Sequence, residues 1–178
     1  MTSADLSIGN ADPFALRERS VADLLLLYAN VLSTLRDRGV LRSSNNPVAD
    51  YSEWLVARAL GLRLVSQSVK GHDAVAPDGT RYQIKGRRAT PTNGSRQLSA
   101  IRGLEVQDTH PFDYLVGVLY NFDFTVMKAA QIPIAIVRQQ ARPAPHVNGW
   151  RFILRDSVWA LPGVIDVSGP VQAAALRQ

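Results

Sequence analysis

The sequence has no cysteine, only three lysines among its 178 residues and no long apolar run. Without cysteine the chain forms neither a disulfide nor a thiolate zinc site. The apolar runs, such as residues 24–27, are far too short to cross a bilayer. The first ten residues lack the basic start and apolar stretch of a signal peptide. We therefore expect a cytoplasmic protein, of bacterial type, that has no membrane partner.

Positive charge is abundant and is carried almost entirely by arginine. Lysine and arginine together number 20 against 15 acidic residues, which gives a net charge of +5. The planar guanidinium suits contacts with phosphate, so the composition favours an anionic partner such as nucleic acid. The alternative is that GC-rich coding alone has favoured arginine over lysine. Charge by itself leaves both interpretations open.

The length and the order of the elements predict one α/β domain over residues 1–178, with a central mixed β-sheet flanked by helices. Helices are predicted at residues 12–38, 50–60, 98–102 and 133–138. Strands are predicted at residues 62–66, 73–76, 80–85, 112–120, 124–128 and 150–154. The expected parts are a disordered start (1–12), a helical part (13–61), the core sheet (62–128), a crossover helix with strand and further elements (129–167), and a weakly structured tail (168–178).

The most informative segment is residues 71–87, which predicts a hairpin with a Pro-Asp-Gly turn between two strands. Side chains alternate along a strand, so Gln83 and Lys85 share one face. If residues 77–79 form a three-residue loop, Asp73 lies opposite Gln83 on that face. A two-residue turn would instead move Asp73 to the other face.

A carboxylate, an amide oxygen and an ammonium on one patch suit a divalent metal beside a phosphate. Asp73 is the candidate ligand that anchors Mg²⁺, with the Gln83 amide oxygen and the Ile84 carbonyl as further ligands. Lys85 is placed to stabilise negative charge on the phosphate. The alternative is an ordinary exposed β-turn whose polar face has no such role.

Glu53, in the helix before the hairpin, is a candidate second carboxylate for the same site. Its alternative role is structural, because Asp50-Tyr51-Ser52-Glu53 has the spacing of a helix capping box. The sequence leaves both roles open.

Glu53, Gly71-His72-Asp73-Ala74 and Gln83-Ile84-Lys85-Gly86-Arg87 together resemble the PD-(D/E)xK nuclease superfamily. The glutamine variant resembles its Mrr-like restriction-endonuclease branch, over roughly residues 50–120. The resemblance implies a restriction-endonuclease-like fold in which Asp73, Gln83 and Glu53 hold Mg²⁺ and Lys85 assists the attack of water. The sequence departs from the family pattern at His72, where proline is usual, and at Gln83, where an acid is usual.

Candidate DNA contacts flank this hairpin and the preceding helix. Arginines in a polar loop suit backbone phosphates, and asparagine or glutamine can pair with adenine. The candidates are Arg87, Arg88, Arg96, Asn45, Asn46, Asn93 and Gln97. For each residue the alternative is a solvated loop position.

The function expected from these features is an endodeoxyribonuclease of a restriction or defence system, dependent on Mg²⁺ with Mn²⁺ as an alternative. Cutting both strands of double-stranded DNA needs two sites, so a homodimer is expected. A second hypothesis is a catalytically inactive nuclease-like subunit for DNA binding or assembly, in which Gln83 marks a decayed site. A third is a structural protein whose polar hairpin face is incidental.

Overall fold

The computed structural model describes residues 14–104 and 110–176. The chain consists of two compact units, Met1–Val40 and Leu41–Gln178. The predicted disordered start, residues 1–12, lies outside the described residues. The sheet and all the candidate site residues belong to the second unit.

In the first unit, helix α1 spans Val21–Asp37 and follows a 3₁₀ turn at Leu16–Glu18. The Ser20 hydroxyl caps this helix by accepting a 3.1 Å hydrogen bond from the backbone N–H of Asp23. The predicted helix is therefore wrong over residues 14–20, because the serine cap fixes the first turn at Val21, and its predicted start at residue 12 lies outside the described residues. The predicted stop at Gly39 is confirmed, since this glycine has a φ of 70° just beyond the helix.

The described residues of the second unit contain eight strands. They are β1 (Arg63–Leu64), β2 (Ala74–Val75), β3 (Arg81–Arg88), β4 (Tyr114–Tyr120), β5 (Val126–Pro133), β6 (Arg142–Ala144), β7 (Gly149–Arg151) and β8 (Ile165–Asp166). Six form one sheet in the order β1-β2-β3-β4-β5-β8, while β6 and β7 form a separate ribbon. Only β3 and β4 run parallel within the described sheet. The predicted α/β class with a central mixed sheet flanked by helices is confirmed.

Helix α2 spans Pro47–Leu60 and so begins three residues before the predicted start at Asp50. The Asn46 side chain accepts a hydrogen bond from the Val48 N–H at 3.1 Å, and proline occupies the first helical position. The helix ends at Gly61, as predicted, with a φ of 65°. Asp50 therefore lies inside the helix rather than at its cap, and the predicted capping box is wrong.

Two further helices follow the sheet strands, α3 (Ile134–Gln140) and α4 (Ser168–Leu176). Helix α3 follows Pro133 as predicted, but it joins β5 to β6 and is not a crossover between parallel strands. Helix α4 corrects the predicted weak structure of the tail, because Val171 is fully buried against the sheet and α2. No helix of the described residues is long and apolar enough to cross a membrane.

Both faces of the sheet are covered. Side chains that alternate along β4 belong to two separate hydrophobic clusters, one on each face. Val116 and Val118 face α2 and α4, whereas Leu115 and Leu119 face the opposite side. Strand β4 is therefore buried on both faces, which confirms the central strand predicted from the apolar run at residues 112–120.

An extended layer covers the face of the sheet opposite α2. Leu98 donates its backbone N–H to Phe152, and Ile101 and Trp150 exchange two backbone hydrogen bonds of 2.9 and 2.7 Å. The predicted helix at residues 98–102 is therefore wrong. Leu98 and Ile101 have the i, i+3 spacing of a helix face, but both side chains are buried from an extended segment.

Candidate active site

The β2–β3 hairpin has the register that the three-residue loop predicted. Ala74 pairs with Tyr82 and Val75 with Arg81, and the Ala76 N–H donates to the Thr80 carbonyl at 2.9 Å. The same register places Asp73 opposite Gln83. The loop between them contains Gly79 with a φ of 89°, a left-handed conformation that glycine adopts without strain.

Asp73 immediately precedes β2, and its carboxylate lies along the edge of β3 that β2 does not cover. Its Oδ2 accepts hydrogen bonds from the Gln83 side-chain amide and from the Ile84 backbone N–H, the latter at 2.7 Å. The amide nitrogen of Gln83 faces Asp73, so the amide oxygen lies at the other end of the group. Gln83 can therefore share a cation with Asp73 only after its amide rotates. The Ile84 carbonyl points toward the same sheet edge as its N–H, because both groups of a strand residue face one neighbour.

Lys85 is two residues beyond Gln83 on β3 and therefore projects from the same face. It is half-buried, and its strand partner on β4 is Gly117, which has no side chain. Within the described residues the Lys85 ammonium makes no ion pair or hydrogen bond. One face of the hairpin thus carries Asp73, Gln83 and Lys85. The Lys85 ammonium has no acidic partner among the described residues.

Glu53 and Asp73 line the same cavity, which has a volume of about 320 Å³ and also includes His72. Burial raises the pKa of Glu53, and the negative charge of Asp73 raises it further, while a bond from Arg42 opposes both effects. The two carboxyl groups are therefore close enough to interact electrostatically. A cation between like charges of this kind would relieve their repulsion.

Arg42 is a residue of this site that the sequence pattern does not predict. Its guanidinium pairs with Glu53 and donates to the Val65 carbonyl at 2.7 Å. The buried Asp50 carboxylate accepts the backbone N–H groups of Arg42 and Ser43, at 2.8 and 2.7 Å. Asp50 thereby holds the loop that brings Arg42 to Glu53. The only signal in the sequence was that Asp50 and Glu53, three residues apart, share one face of α2.

One oxygen of each carboxylate remains uncommitted. Among the described residues nothing donates a hydrogen bond to Asp73 Oδ1 or to Glu53 Oε1, whereas the second oxygen of each group has a partner. Carboxylate and carbonyl oxygens are the ligands that Mg²⁺ prefers, and Mg²⁺ commonly takes only one or two carboxylates together with water and phosphate oxygens. The described residues contain no cluster of three or more histidine, aspartate or glutamate side chains that could hold a metal. The donors thus fit Mg²⁺ shared with a substrate and not an all-protein cage.

Three of the candidate DNA contacts lie beside cavities. Asn45 lines the cavity of Glu53 and Asp73. Arg87 projects from the same face of β3 as Lys85, and together with Gln97 it lines a second cavity. The Arg87 guanidinium donates to the Ser95 carbonyl at 3.1 Å.

The other four candidates have local contacts. Asn46 caps α2, and the Asn93 side chain accepts the Ser95 N–H at 2.9 Å within its loop. Arg96 pairs with the exposed Asp156 at 2.7 Å. Arg88 projects from the opposite face to Arg87, where its guanidinium lies 4.4 Å from the centre of the Phe124 ring. These contacts give each residue a structural role, and their contact with DNA stays a prediction.

No protein-family model matches the chain, and no curated protein matches its sequence. The grounds for a functional proposal are therefore the chemistry and the arrangement of the site: two interacting carboxylates at a sheet edge, an amide bonded to one of them, and an uncommitted lysine on the same face as that amide.

Proposed function

We propose that the protein is a Mg²⁺-dependent DNA endonuclease of a restriction or defence system. The observation that carries the proposal is that Glu53 and Asp73 line one cavity, while the Gln83 amide is bonded to Asp73 and Lys85 projects from the same face of β3 as Gln83. Asp73 lies opposite Gln83, and Lys85 shares their face of the hairpin. Glu53 reaches the cavity of Asp73 from α2. These are the residues to which the family resemblance gives a role.

Three of these residues have distinct parts in the proposed hydrolysis, while Gln83 holds the Asp73 carboxylate in place. The carboxylates of Asp73 and Glu53, with the Ile84 carbonyl, would hold the cation. When bound, Mg²⁺ polarises the phosphate and lowers the pKa of a water molecule. The water oxygen bonds to phosphorus while the bond from phosphorus to one deoxyribose oxygen breaks, and the proton lost by water passes to that leaving oxygen or to solvent. The Lys85 ammonium stabilises the negative charge that develops on the phosphate oxygens.

Arg42 has a role of its own in this proposal. Its guanidinium compensates the charge of Glu53 when no cation is present. A cation held by Glu53 would compete with this guanidinium, so we expect the DNA phosphate to be needed to complete the ligand set.

The proposed substrate is double-stranded DNA, and the proposed place of action is the cytoplasm. The net charge of +5 supports attraction to the phosphate backbone. A homodimer supplies the two sites that cleavage of both strands requires.

The test is an assay of purified protein on supercoiled and linear DNA with Mg²⁺ or Mn²⁺. Wild type is expected to cut, and Lys85→Gln to lose cleavage while it still binds DNA. Lys128→Gln is the matched control, because this lysine lies on β5 and pairs with the exposed Asp156 at 3.1 Å. Equal cleavage by wild type and Lys85→Gln, or no cleavage of varied DNA with either metal, contradicts the proposal.

A second candidate function is that of an inactive nuclease-like subunit that binds DNA or assembles with a partner. Gln83 favours it, because an amide replaces the acid usual in the family and turns its nitrogen toward Asp73. This candidate predicts salt-dependent DNA binding without cleavage. Its binding should be unaffected by Asp73→Ala, whereas an active enzyme loses cleavage with the same substitution.

A further inference from the structure

A second cavity, of about 400 Å³, lies beside the end of β3, between this strand, residues 97–100 and the β6–β7 ribbon. Its polar and aromatic lining consists of Arg87, Gln97, Ser99, His146, Trp150 and Arg151. None of the described residues that line it is acidic. The volume is in the range of pockets that bind small organic ligands.

The walls of this cavity are fixed by backbone pairing. Trp150 donates its N–H to the Ile101 carbonyl at 2.7 Å, and Ile101 donates back at 2.9 Å. A side chain at Gly149 would come within 2.8 Å of the same carbonyl, so the ribbon packs closely against the extended layer. The indole of Trp150 is half-buried against the core and also lines the cavity. The pocket is therefore preformed.

Among the described residues, the positive charge around the cavity has no acidic partner. Arg151 stands directly opposite Arg142 across the ribbon, an arrangement of like charges that is destabilising by itself. In the described part of the chain neither arginine has a hydrogen-bond or acidic partner. The one partner of Arg87 in the described residues is a backbone carbonyl. An anion bound among these guanidinium groups would remove the repulsion between them.

The cavity is also next to the proposed catalytic lysine. Lys85 and Arg87 are two residues apart on one face of β3, so their Cα atoms are roughly 6.7 Å apart. Neighbouring nucleotides of one strand can span this distance. Trp150 offers a ring for stacking a base, and the Gln97 amide is of the type that pairs with base edges.

We propose that this cavity binds one unpaired nucleotide of the DNA strand, with its phosphate at Arg87 and Arg151 and its base against Trp150. The choice of DNA as the ligand rests on the proposed nuclease function. Binding itself requires neither the metal nor Lys85. The site therefore selects DNA in which a base is unpaired or has been turned out of the duplex.

The test measures binding in the presence of EDTA, so that cleavage does not occur. Two duplexes of equal length are compared, one fully paired and one with a single unpaired 2-aminopurine at its centre. Wild type is expected to bind the second at least about fivefold more tightly, the lower range for one base stacked on an aromatic side chain. The fluorescence of 2-aminopurine should fall as the base stacks on Trp150.

Two variants examine the separate parts of the site. Trp150→Leu removes the ring but keeps apolar volume, and Arg151→Gln removes an exposed charge with little effect on the core. Both are expected to lose the preference for the unpaired base. Arg63→Gln is the matched control, an exposed arginine on β1 that does not line the cavity and should keep the preference. If circular dichroism shows Trp150→Leu to be unfolded, Arg151→Gln decides the test.

Equal affinity of wild type for the two duplexes overturns the inference, as does an unchanged preference in folded variants. Cleavage with Mg²⁺ is measured separately on the same proteins. Cleavage without a preference overturns the nucleotide site and leaves the nuclease proposal standing. A preference without cleavage supports the site and contradicts the nuclease proposal.

Discussion

Asp73 and Gln83 face each other across the β2–β3 hairpin, and the Gln83 amide donates a hydrogen bond to Asp73 Oδ2. The Ile84 N–H donates to the same oxygen at 2.7 Å. The glutamine therefore holds the carboxylate at the sheet edge without adding negative charge to it. An acid at position 83 would be a stronger metal ligand, but it would repel Asp73 whenever the cation is absent.

The Gln83→Glu variant tests whether the hydrogen bond of Gln83 to Asp73 is kept at the expense of metal affinity. Without metal the variant should be less stable by about 1.5–3 kcal/mol, the usual value of a hydrogen bond to a charged group. With Mg²⁺ its melting temperature should rise more than that of wild type, because a third carboxylate strengthens binding. Thermal unfolding with and without Mg²⁺ measures both effects.

Gln139→Glu, on an exposed position of α3, makes the same charge change as a control and should show neither effect. A Gln83→Glu protein that matches wild type with and without Mg²⁺ would show that position 83 does not contact the metal.

The raised pKa of Glu53 predicts a dependence of stability on pH. Burial first, and the charge of Asp73 second, raise this pKa above its ordinary value. The folded state therefore favours the protonated carboxyl. The contribution of Glu53 to the free energy of unfolding is fully present below its ordinary pKa and is lost as pH rises through its pKa in the folded state. The free energy of unfolding of wild type, relative to Glu53→Gln, should fall across that interval.

Urea denaturation between pH 4 and pH 8 measures this difference. Asp73→Asn removes one cause of the shift, and saturating Mg²⁺ opposes it by attracting the charged form, so each should flatten the dependence. A free energy of unfolding of wild type that rises relative to that of Glu53→Gln as pH increases would refute the raised pKa of Glu53, and a dependence unchanged by Asp73→Asn would refute the electrostatic link between the two carboxyl groups.

Gly86→Ala should destabilise the fold by closing the space between β3 and α2. A Cβ at this position would lie 2.0 Å from the Ser52 hydroxyl oxygen, which is bonded to Val48 and Tyr120 and cannot easily move. Overpacking of this kind costs about 1–3 kcal/mol. Gly94→Ala is the control, because nothing lies within 4 Å of its Cβ position. Equal urea midpoints for the two variants would contradict the close packing of strand and helix.

The hairpin was predictable because local rules determine it. The three residues of the turn fix the register, and alternation then places Asp73, Gln83 and Lys85 on one face. The central strand β4 was equally clear, because a strand buried on both faces needs a continuous apolar run.

The rest of the site depends on tertiary contacts that no local pattern records. Arg42 reaches Glu53 only because the buried Asp50 holds the loop before α2. Asp50 itself suggested a helix cap, but Asn46-Pro47 starts the helix earlier and places Asp50 in its interior. Leu98 and Ile101 have helical spacing, yet pairing with residues 150–152 keeps them extended.

The most direct test of the central claim is the cleavage rate of Asp73→Asn on duplex DNA with Mg²⁺, under conditions of excess enzyme. The account predicts a loss of at least about 100-fold, because even residues that only support a metal ligand are worth 10–100-fold. Asp78→Asn, in the turn of the same hairpin, keeps the oxygen that accepts the Thr80 N–H and should cut at the wild-type rate. Cleavage by Asp73→Asn at the wild-type rate, or an equal loss in both variants, would contradict the assignment of this carboxylate to the metal site.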